Sequence, residues 1–267
     1  MPFTPSHAVV ALPFLRTPLI PSAIAIGAMT PDLPLFVRGI GLDYGFTHDD
    51  SNIVWTTFIA LGLFLLWRAV LRPAVRELSP TWLTRRLPEE WDQPSGAAAA
   101  SAVGVGQSRF YALRLVLSLM LGVLSHILWD LFTHEGRWGS ELLPILDQQW
   151  GPLQGFKWLQ HGSSAFGLIV IGIWMLVWLR RRTPAAQDER MLSGWVRVTW
   201  WLSLPVILLA AWIGGWVVFG PFTAEFTFAH LAYRVLPPAC AVWALFTLVV
   251  CIVIGVRRSA RDPQKLS

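Results

Sequence analysis

Residues 113–132, LRLVLSLMLGVLSHILWDLF, form an apolar stretch that is long enough to cross a bilayer as one helix. Its second half carries two ionisable residues, His126 and Asp130, four positions apart. Ionisable side chains are costly inside a membrane, and those that occur there usually serve a function. The stretch therefore predicts a membrane protein and marks the part of the chain where a functional site is expected.

The composition indicates a membrane protein over its whole length. Hydrophobic residues make up 54% of the 267 residues, and only 14% are charged, against about 25% in an average soluble chain. The mean hydropathy is +0.52. This composition excludes a disordered protein and a collagen-like fibre, and two cysteines in one apolar stretch exclude a disulfide scaffold. We expect an all-α integral membrane helix bundle.

Five windows are long and apolar enough to be full spans. They are Ile53–Leu71, Leu113–Phe132, Gly162–Leu179, Thr199–Phe219 and Leu231–Val256. The last window exceeds the thickness of the bilayer core, so its helix is expected to be tilted, or bent at Pro237 and Pro238.

The N-terminal apolar segment, residues 7–29, is interrupted by prolines and is open to two interpretations. One is a kinked sixth span. The other is a re-entrant hairpin with a helix over roughly 5–15, a turn at 16–18 and a second helix to about Ala28. Proline starts helices well and interrupts them badly, which favours the two-armed hairpin.

The orientation follows from basic residues in short loops, which favour the cytoplasmic side. Three basic groups follow the first, third and last spans: Arg68, Arg72, Arg76, Arg85 and Arg86; Arg180, Arg181, Arg182 and Arg190; Arg257, Arg258, Arg261 and Lys265. They predict a multi-pass membrane protein with a cytoplasmic C-terminus. Because these groups account for most of the excess positive charge, we expect membrane lipid as the partner and no nucleic acid.

The segment boundaries predict a single polytopic membrane domain over residues 1–257. Within it, residues 73–108 are rich in Pro, Gly, Ser and Ala and are expected to form a flexible cytoplasmic loop, with a short interfacial helix near Trp82. Residues 134–161 form the predicted outer loop. The polar residues 258–267 are expected to be a disordered cytoplasmic tail.

The strongest polar unit is SHILWDLFTHE, which spaces His126, Asp130 and His134 four residues apart. On a helix this spacing places the three side chains along one face. Two imidazoles and a carboxylate can hold one zinc ion or contribute to two, with further ligands from elsewhere. The predicted topology offers Asp32, His48 and His161 on the same side, and His7 joins them if the N-terminal segment is a hairpin.

Each of these residues also has a plain structural interpretation. His126 and Asp130 could only pair two helices, and His48 could lie in a loop that starts the first span. His161 could belong to a turn before the third span. Glu225 and His230 are more typical of interfacial capping and are left out of the predicted site.

The order of these residues resembles a known family. The matching elements are His7, the run Gly27-Ala28-Met29-Thr30-Pro31-Asp32, the pair Thr47-His48, the spacing of His126, Asp130 and His134, and His161. The chain resembles an uncharacterised family of bacterial multi-pass proteins whose chains open with MPFTPSHA. It is more distantly similar to predicted membrane-bound metal-dependent hydrolases and to the zinc-dependent phospholipase C and single-strand nuclease superfamily.

The distant resemblance implies roles for the site residues. Asp32, His48, His126 and Asp130 would form one metal site, with Asp130 also bridging outward. His7 would assist the bridged metal, and His134 with His161 would hold another. The soluble enzymes have a glutamate four residues after the last histidine, where this chain has Ala165, so one or two divalent ions, zinc being the expected metal, fit better than three.

The sequence thus leads to three functional hypotheses. The first is a metal-dependent hydrolase at the outer membrane surface that acts on a phosphoester or lipid head group, with water as the nucleophile and Asp32 as the candidate catalytic base. The second is a transporter or proton-coupled channel that uses His126 and Asp130 as a relay. The third is a structural membrane protein in which the polar residues only pair helices.

Overall fold

The computed structural model describes residues 3–38, 41–186 and 190–260. Helices make up 77% of the described residues, and five of these helices are long and apolar enough to cross a membrane. The predicted all-α membrane bundle is confirmed. The α-helices are α1 Pro21–Met29, α2 Leu33–Phe36, α3 Tyr44–His48, α4 Ile53–Leu66, α5 Arg72–Leu78, α6 Thr81–Thr84, α7 Ser95–Ala102, α8 Tyr111–Thr133, α9 Trp138–Leu142, α10 Gly155–Arg180, α11 Gly194–Phe219 and α12 Phe228–Ala260.

Shorter elements connect these helices. A π-helical turn, Trp67–Leu71, joins α4 to α5, so that one helical segment runs over Asp50–Leu78. The 3-10 helices are Thr4–Phe14, Thr30–Asp32, Asp50–Asn52, Glu89–Asp92 and Pro144–Asp147. A two-residue pair of antiparallel strands, β1 Gln149–Trp150 and β2 Leu153–Gln154, precedes α10.

The N-terminal segment is a hairpin of two short helices. The arms are the 3-10 helix Thr4–Phe14 and α1, with the turn near Arg16. At about 2.0 Å and 1.5 Å rise per residue, neither arm matches the ~30 Å thickness of a bilayer core. The Ile20 backbone N–H donates to Ser118 Oγ of α8 at 2.9 Å, which ties the hairpin to the second span.

The third span begins earlier than the sequence predicted. The window started at Gly162, whereas α10 starts at Gly155 and includes His161 in its second turn. The reason is that the first turns of α10 contain the polar residues Lys157, Gln160 and His161, which a hydropathy window leaves out although a helix accommodates them. Within the window, Ser163 and Ser164 both donate to the Gln160 carbonyl, at 3.2 and 2.7 Å, a local pattern that a helix tolerates.

The described residues group into two compact units. The first comprises Met1–Pro34, Leu42–Leu65 and Val103–Arg182. The second comprises Leu35–Gly41, Leu66–Ala102 and Thr183–Ser267. Every predicted site residue lies in the first unit.

Residues 73–108, of which 73–102 belong to the second unit, contain more helix than the sequence predicted. The short helix expected near Trp82 is α6, and α5, α7 and a 3-10 turn accompany it. The Arg76 side chain connects several parts of the segment before α7. Its Nε donates to Asp92 Oδ2 at 2.6 Å, and its Nη1 donates to the Thr84 carbonyl at 2.6 Å.

The predicted disordered tail, residues 258–267, falls mostly outside the described residues. Its first three residues are described, and they are helical because they complete α12. Arg258 holds this end in place by donating to the Pro73 carbonyl at 2.8 Å and by pairing with Glu77 at 3.3 Å.

In the first unit, α1 and α8 pack closely through two glycines. A Cβ atom added to Gly27 would overlap the Leu119 carbonyl, and one added to Gly122 would overlap the Ile24 carbonyl and lie 2.6 Å from the Ala28 nitrogen. Small residues at a helix contact allow this approach inside a membrane. No larger residue fits either position without moving a backbone.

We expect Gly122→Ala to lower the free energy of unfolding by about 1–3 kcal/mol, because the added methyl group overlaps α1. The matched control is Gly172→Ala in α10, where an added Cβ meets no heavy atom within 4 Å. The control should be neutral or slightly stabilising, since alanine favours a helix over glycine. The measurement is the thermal unfolding midpoint in detergent, and equal midpoints for the two variants would contradict the packing described.

Candidate metal centre

Six of the seven predicted site residues meet in the first unit. Two overlapping groups offer ligand atoms that lie within 4.8 Å of one another: His7, Asp32 and His126, and His48, His126 and Asp130. All five of these side chains are buried, with His126 completely so. They come from the N-terminal hairpin, the turn after α1, the end of α3 and the C-terminal half of α8.

Backbone carbonyls orient the two central imidazoles. His126 Nδ1 lies 2.7 Å from the Ala28 carbonyl oxygen, and His48 Nδ1 lies 3.0 Å from the Tyr44 carbonyl oxygen. A carbonyl oxygen only accepts, so both Nδ1 atoms carry the hydrogen. Both Nε2 atoms are then acceptors, and they face each other at 3.2 Å. Two lone pairs at this distance repel unless a cation or a proton lies between them.

The carboxylates of Asp130 and Asp32 surround the same point. Asp130 Oδ2 lies 3.5 Å from both His48 Nε2 and His126 Nε2. Asp32 Oδ1 lies 3.6 Å from His126 Nε2. In the described part of the chain, the only cationic partners that these carboxylates contact are histidines. Two buried negative charges are therefore left to be compensated.

Three buried polar atoms at the centre make no hydrogen bond within the described residues. They are His7 Nε2, Asp32 Oδ1 and His134 Nε2. A buried acceptor without a partner costs roughly 1–3 kcal/mol, so native structures rarely retain one without a reason. His134 Nδ1 lies 3.1 Å from the Asp130 carbonyl, which leaves its Nε2 as a bare acceptor. Such atoms are free to bind a metal ion.

The distances match the geometry of a divalent metal site. A tetrahedral zinc ion with Zn–N bonds of 2.0–2.1 Å separates its ligand atoms by about 3.3 Å. The observed separations around His126 Nε2 are 3.2 Å to His48, 3.5 Å to Asp130 and 3.6 Å to Asp32. Mixed imidazole and carboxylate ligands suit zinc, iron or manganese. The residues present therefore fit such an ion.

Burial shifts the pKa values of the groups outside the spans. Desolvation, with the neighbouring His126, lowers the pKa of His7 to about 3. Desolvation also lowers the pKa of His134. It raises the pKa of Asp32, and the nearby His126 and the hydrogen bond from Thr4 partly offset this increase. The two histidines are thus neutral near pH 7, which is the form that binds metals.

Two supporting residues escaped the sequence analysis. Thr4 Oγ1 donates to Asp32 Oδ2 at 2.7 Å, and the Tyr44 hydroxyl donates to Asp130 Oδ2 at 3.2 Å. Burial and the Asp130 charge raise the pKa of Tyr44, so its hydroxyl stays protonated. Helical spacing could have found both, since Thr4 precedes His7 by one 3-10 turn and Tyr44 precedes His48 by four residues.

His134 and His161 are not among the five side chains of the two central groups. His134 is half-buried and lies next to Asp130, with Nδ1 3.5 Å from Oδ2. His161 is exposed on α10 and belongs to neither group of potential ligands. A shared metal between these two histidines stays a prediction.

Two cavities of different character reach the centre. A cleft of about 440 Å³ is lined by Gly45, His48, Asp49, Asp50, Leu131 and Arg137. A groove of about 420 Å³, between the N-terminal hairpin and the second and third spans, is mainly apolar and reaches His7. Val9, Val10, Pro13 and Phe166 line this groove together with Ser6, Ser125, Ser163 and Trp129. The centre thus lies between a polar and an apolar approach.

Comparison with known proteins gave one match. A family model described as a domain of unknown function, DUF4184, matches residues 1–257. No curated protein matches the chain. No solved structure matches it either.

Proposed function

The chain belongs to the DUF4184 family, and we propose that this member is a metal-dependent hydrolase that acts at the outer membrane surface on a phosphoester or lipid head group. One observation carries the proposal: the acceptor atoms His48 Nε2 and His126 Nε2 face each other at 3.2 Å between two buried carboxylates. One or two divalent ions, most simply zinc, would satisfy these atoms and neutralise the carboxylates. The bacterial inner membrane, with the C-terminus in the cytoplasm, is the proposed location.

The surrounding residues have distinct roles in this proposal. A divalent ion held by His48, His126 and Asp130 would acidify water and polarise a phosphoryl oxygen. Asp32 keeps one oxygen fixed by the Thr4 hydroxyl, while its other oxygen is free of hydrogen bonds and faces the centre. That free oxygen is suited to accept a proton from a water nucleophile, so Asp32 is the proposed catalytic base.

The two cavities support an amphipathic substrate. Arg137 lines the polar cleft beside His48 and also a smaller recess beside Asp130. A guanidinium group pairs well with a phosphate oxygen. The apolar groove at His7 offers space for an acyl chain on the other side of the centre. A phosphoester attached to a lipid would use both approaches.

We expect the protein, purified in detergent without chelator, to contain one or two divalent ions per chain, and Asp130→Asn to lose most of this metal. The substitution removes the carboxylate charge that faces both imidazoles at 3.5 Å. The measurement is inductively coupled plasma mass spectrometry. Asp147→Asn, at an exposed acid in the first unit, is the matched control and should keep its metal.

Full metal content in Asp130→Asn would contradict the proposed site. Absence of metal from the unsubstituted protein would contradict the hydrolase altogether. In that case a shared proton would lie between His48 and His126, and the same residues would be tested for proton flux in liposomes.

We expect Tyr44→Phe to weaken metal binding by about tenfold, because groups that hold a ligand by a hydrogen bond typically change affinity 10- to 100-fold. The lost hydroxyl donates to Asp130 Oδ2. Competition with a chromogenic chelator measures the affinity. Tyr233→Phe, whose hydroxyl makes no hydrogen bond within the described residues, should bind metal as the unsubstituted protein does, and equal affinities for both variants would refute the role of Tyr44.

We expect Val10→Trp to fill the apolar groove and to reduce hydrolysis of a phospholipid in vesicles by about tenfold, the effect of a misfitting hydrophobic subsite. Hydrolysis of a short water-soluble phosphodiester should change little, since the polar cleft is unaltered. Val116→Trp, at an exposed position of α8 outside the groove, serves as the control. An equal loss of hydrolytic activity on both substrates would mean that the groove does not bind the acyl chain.

A further inference from the structure

The second unit contains a groove that the proposed hydrolase does not use. It lies between α11 and α12 and has a volume of about 650 Å³. Small residues line one wall, namely Ala211, Gly214 and Gly215, and apolar residues of α12 line the other. Gly215 forms the floor, since an added Cβ there would lie 2.7 Å from Val235 Cγ1.

Two arginines line the same groove at the end where α11 stops. The Arg234 guanidinium lies 4.0 Å from the ring centroid of Phe219, the last residue of α11. The Arg38 guanidinium lies 4.9 Å from the Tyr233 ring centroid, and its Nη2 donates to the Tyr233 carbonyl at 2.9 Å. The Phe219 ring therefore holds Arg234 against the end of α11, and the ring and carbonyl of Tyr233 hold Arg38 against α12.

Neither arginine has an acidic partner in the part of the chain that the structure describes. Other arginines of this unit do: Arg76 pairs with Asp92, and Arg258 pairs with Glu77. Each guanidinium carries five N–H donors, and Arg38 uses only one of them on the Tyr233 carbonyl. The unpaired donors and the two positive charges match a phosphate group.

We propose that this groove binds one anionic glycerophospholipid, with its phosphate on Arg38 and Arg234 and an acyl chain along α11 and α12. Basic pockets between membrane helices recognise anionic head groups in this way. From Arg234 to Val242 the groove follows α12 for eight residues, about 12 Å of apolar wall. A free phosphate ion would use the arginines but not this wall.

The position of the groove also favours a lipid. It is formed by two helices that are long and apolar enough to span a membrane. Val218 and Val242 line it and are 73% and 60% exposed, so their side chains would contact lipid in a bilayer. The groove is thus open on the side from which a lipid chain would enter.

Native mass spectrometry of the full chain in detergent tests the proposal. Phosphatidylglycerol and phosphatidylcholine with identical acyl chains are titrated separately, and one phosphatidylglycerol should bind at least about tenfold more tightly. Arg38→Gln and Arg234→Gln should each weaken phosphatidylglycerol binding about fivefold, the typical effect of one basic residue on an anionic lipid. Phosphatidylcholine carries the same phosphate together with a choline cation that the guanidinium groups repel, so each substitution should weaken its binding less.

Gly214→Leu tests the apolar wall separately. An added Cβ at Gly214 meets no atom within 4 Å, so leucine fits the helix and fills the groove. Binding of both lipids should fall, whereas Gly172→Leu, at an open helical position of α10, should bind lipid normally. Arg182→Gln is the charge control, since this arginine also lies over an aromatic ring, that of Trp178 at 4.8 Å, but outside the groove.

Three results would overturn the proposal. They are equal affinity for the two lipids, unchanged phosphatidylglycerol binding when both groove arginines are replaced, and binding of inorganic phosphate without lipid. The metal content of the protein should be the same in all these variants as in the unsubstituted chain, so the result does not depend on the hydrolase proposal.

Discussion

The close approach of α1 and α8 at Gly27 and Gly122 is the contact on which the candidate metal centre depends. Ala28 follows Gly27, and its carbonyl comes within 2.7 Å of His126 Nδ1 only because the two backbones nearly touch. Asp32 follows α1 by three residues and reaches His126 Nε2 at 3.6 Å. The same helix contact thus orients the His126 imidazole and positions the Asp32 carboxylate beside it.

Hydrogen-bond direction explains why the centre attracts a cation. The carbonyls of Ala28 and Tyr44 accept only, so they force the protons of His126 and His48 onto Nδ1 and turn the lone pairs inward. The two Nε2 atoms and two carboxylates then face a common point among buried side chains. In a medium of low dielectric these groups repel one another strongly when no cation lies between them. A divalent ion at this point would replace the repulsion with attraction.

The sequence predicted those features that depend on local spacing and on length. The apolar windows predicted all five long helices, and the proline positions indicated the two-armed hairpin. The four-residue spacing of His126 and Asp130 predicted that their side chains are neighbours, and they lie 3.5 Å apart. Helical spacing places Thr4 beside His7 and Tyr44 beside His48, but their bonds to Asp32 and Asp130 depend on how separate segments meet, on which the spacing carries no information. The first turns of α10 contain Lys157, Gln160 and His161, so a hydropathy window that stops at polar residues misses the early start of this helix.

The two cavities that face apolar surface differ in the chemistry that their lining residues permit. The groove of the first unit reaches His7, and through it a set of imidazole and carboxylate acceptors that can ligate a metal and accept a proton. The groove of the second unit is lined by two guanidinium groups and, among the described residues, by no carboxylate or imidazole. Guanidinium groups repel a divalent cation and remain protonated near neutral pH. The second groove is therefore suited to hold a phosphate ester without cleaving it, whereas the first combines binding space with groups that can transfer protons.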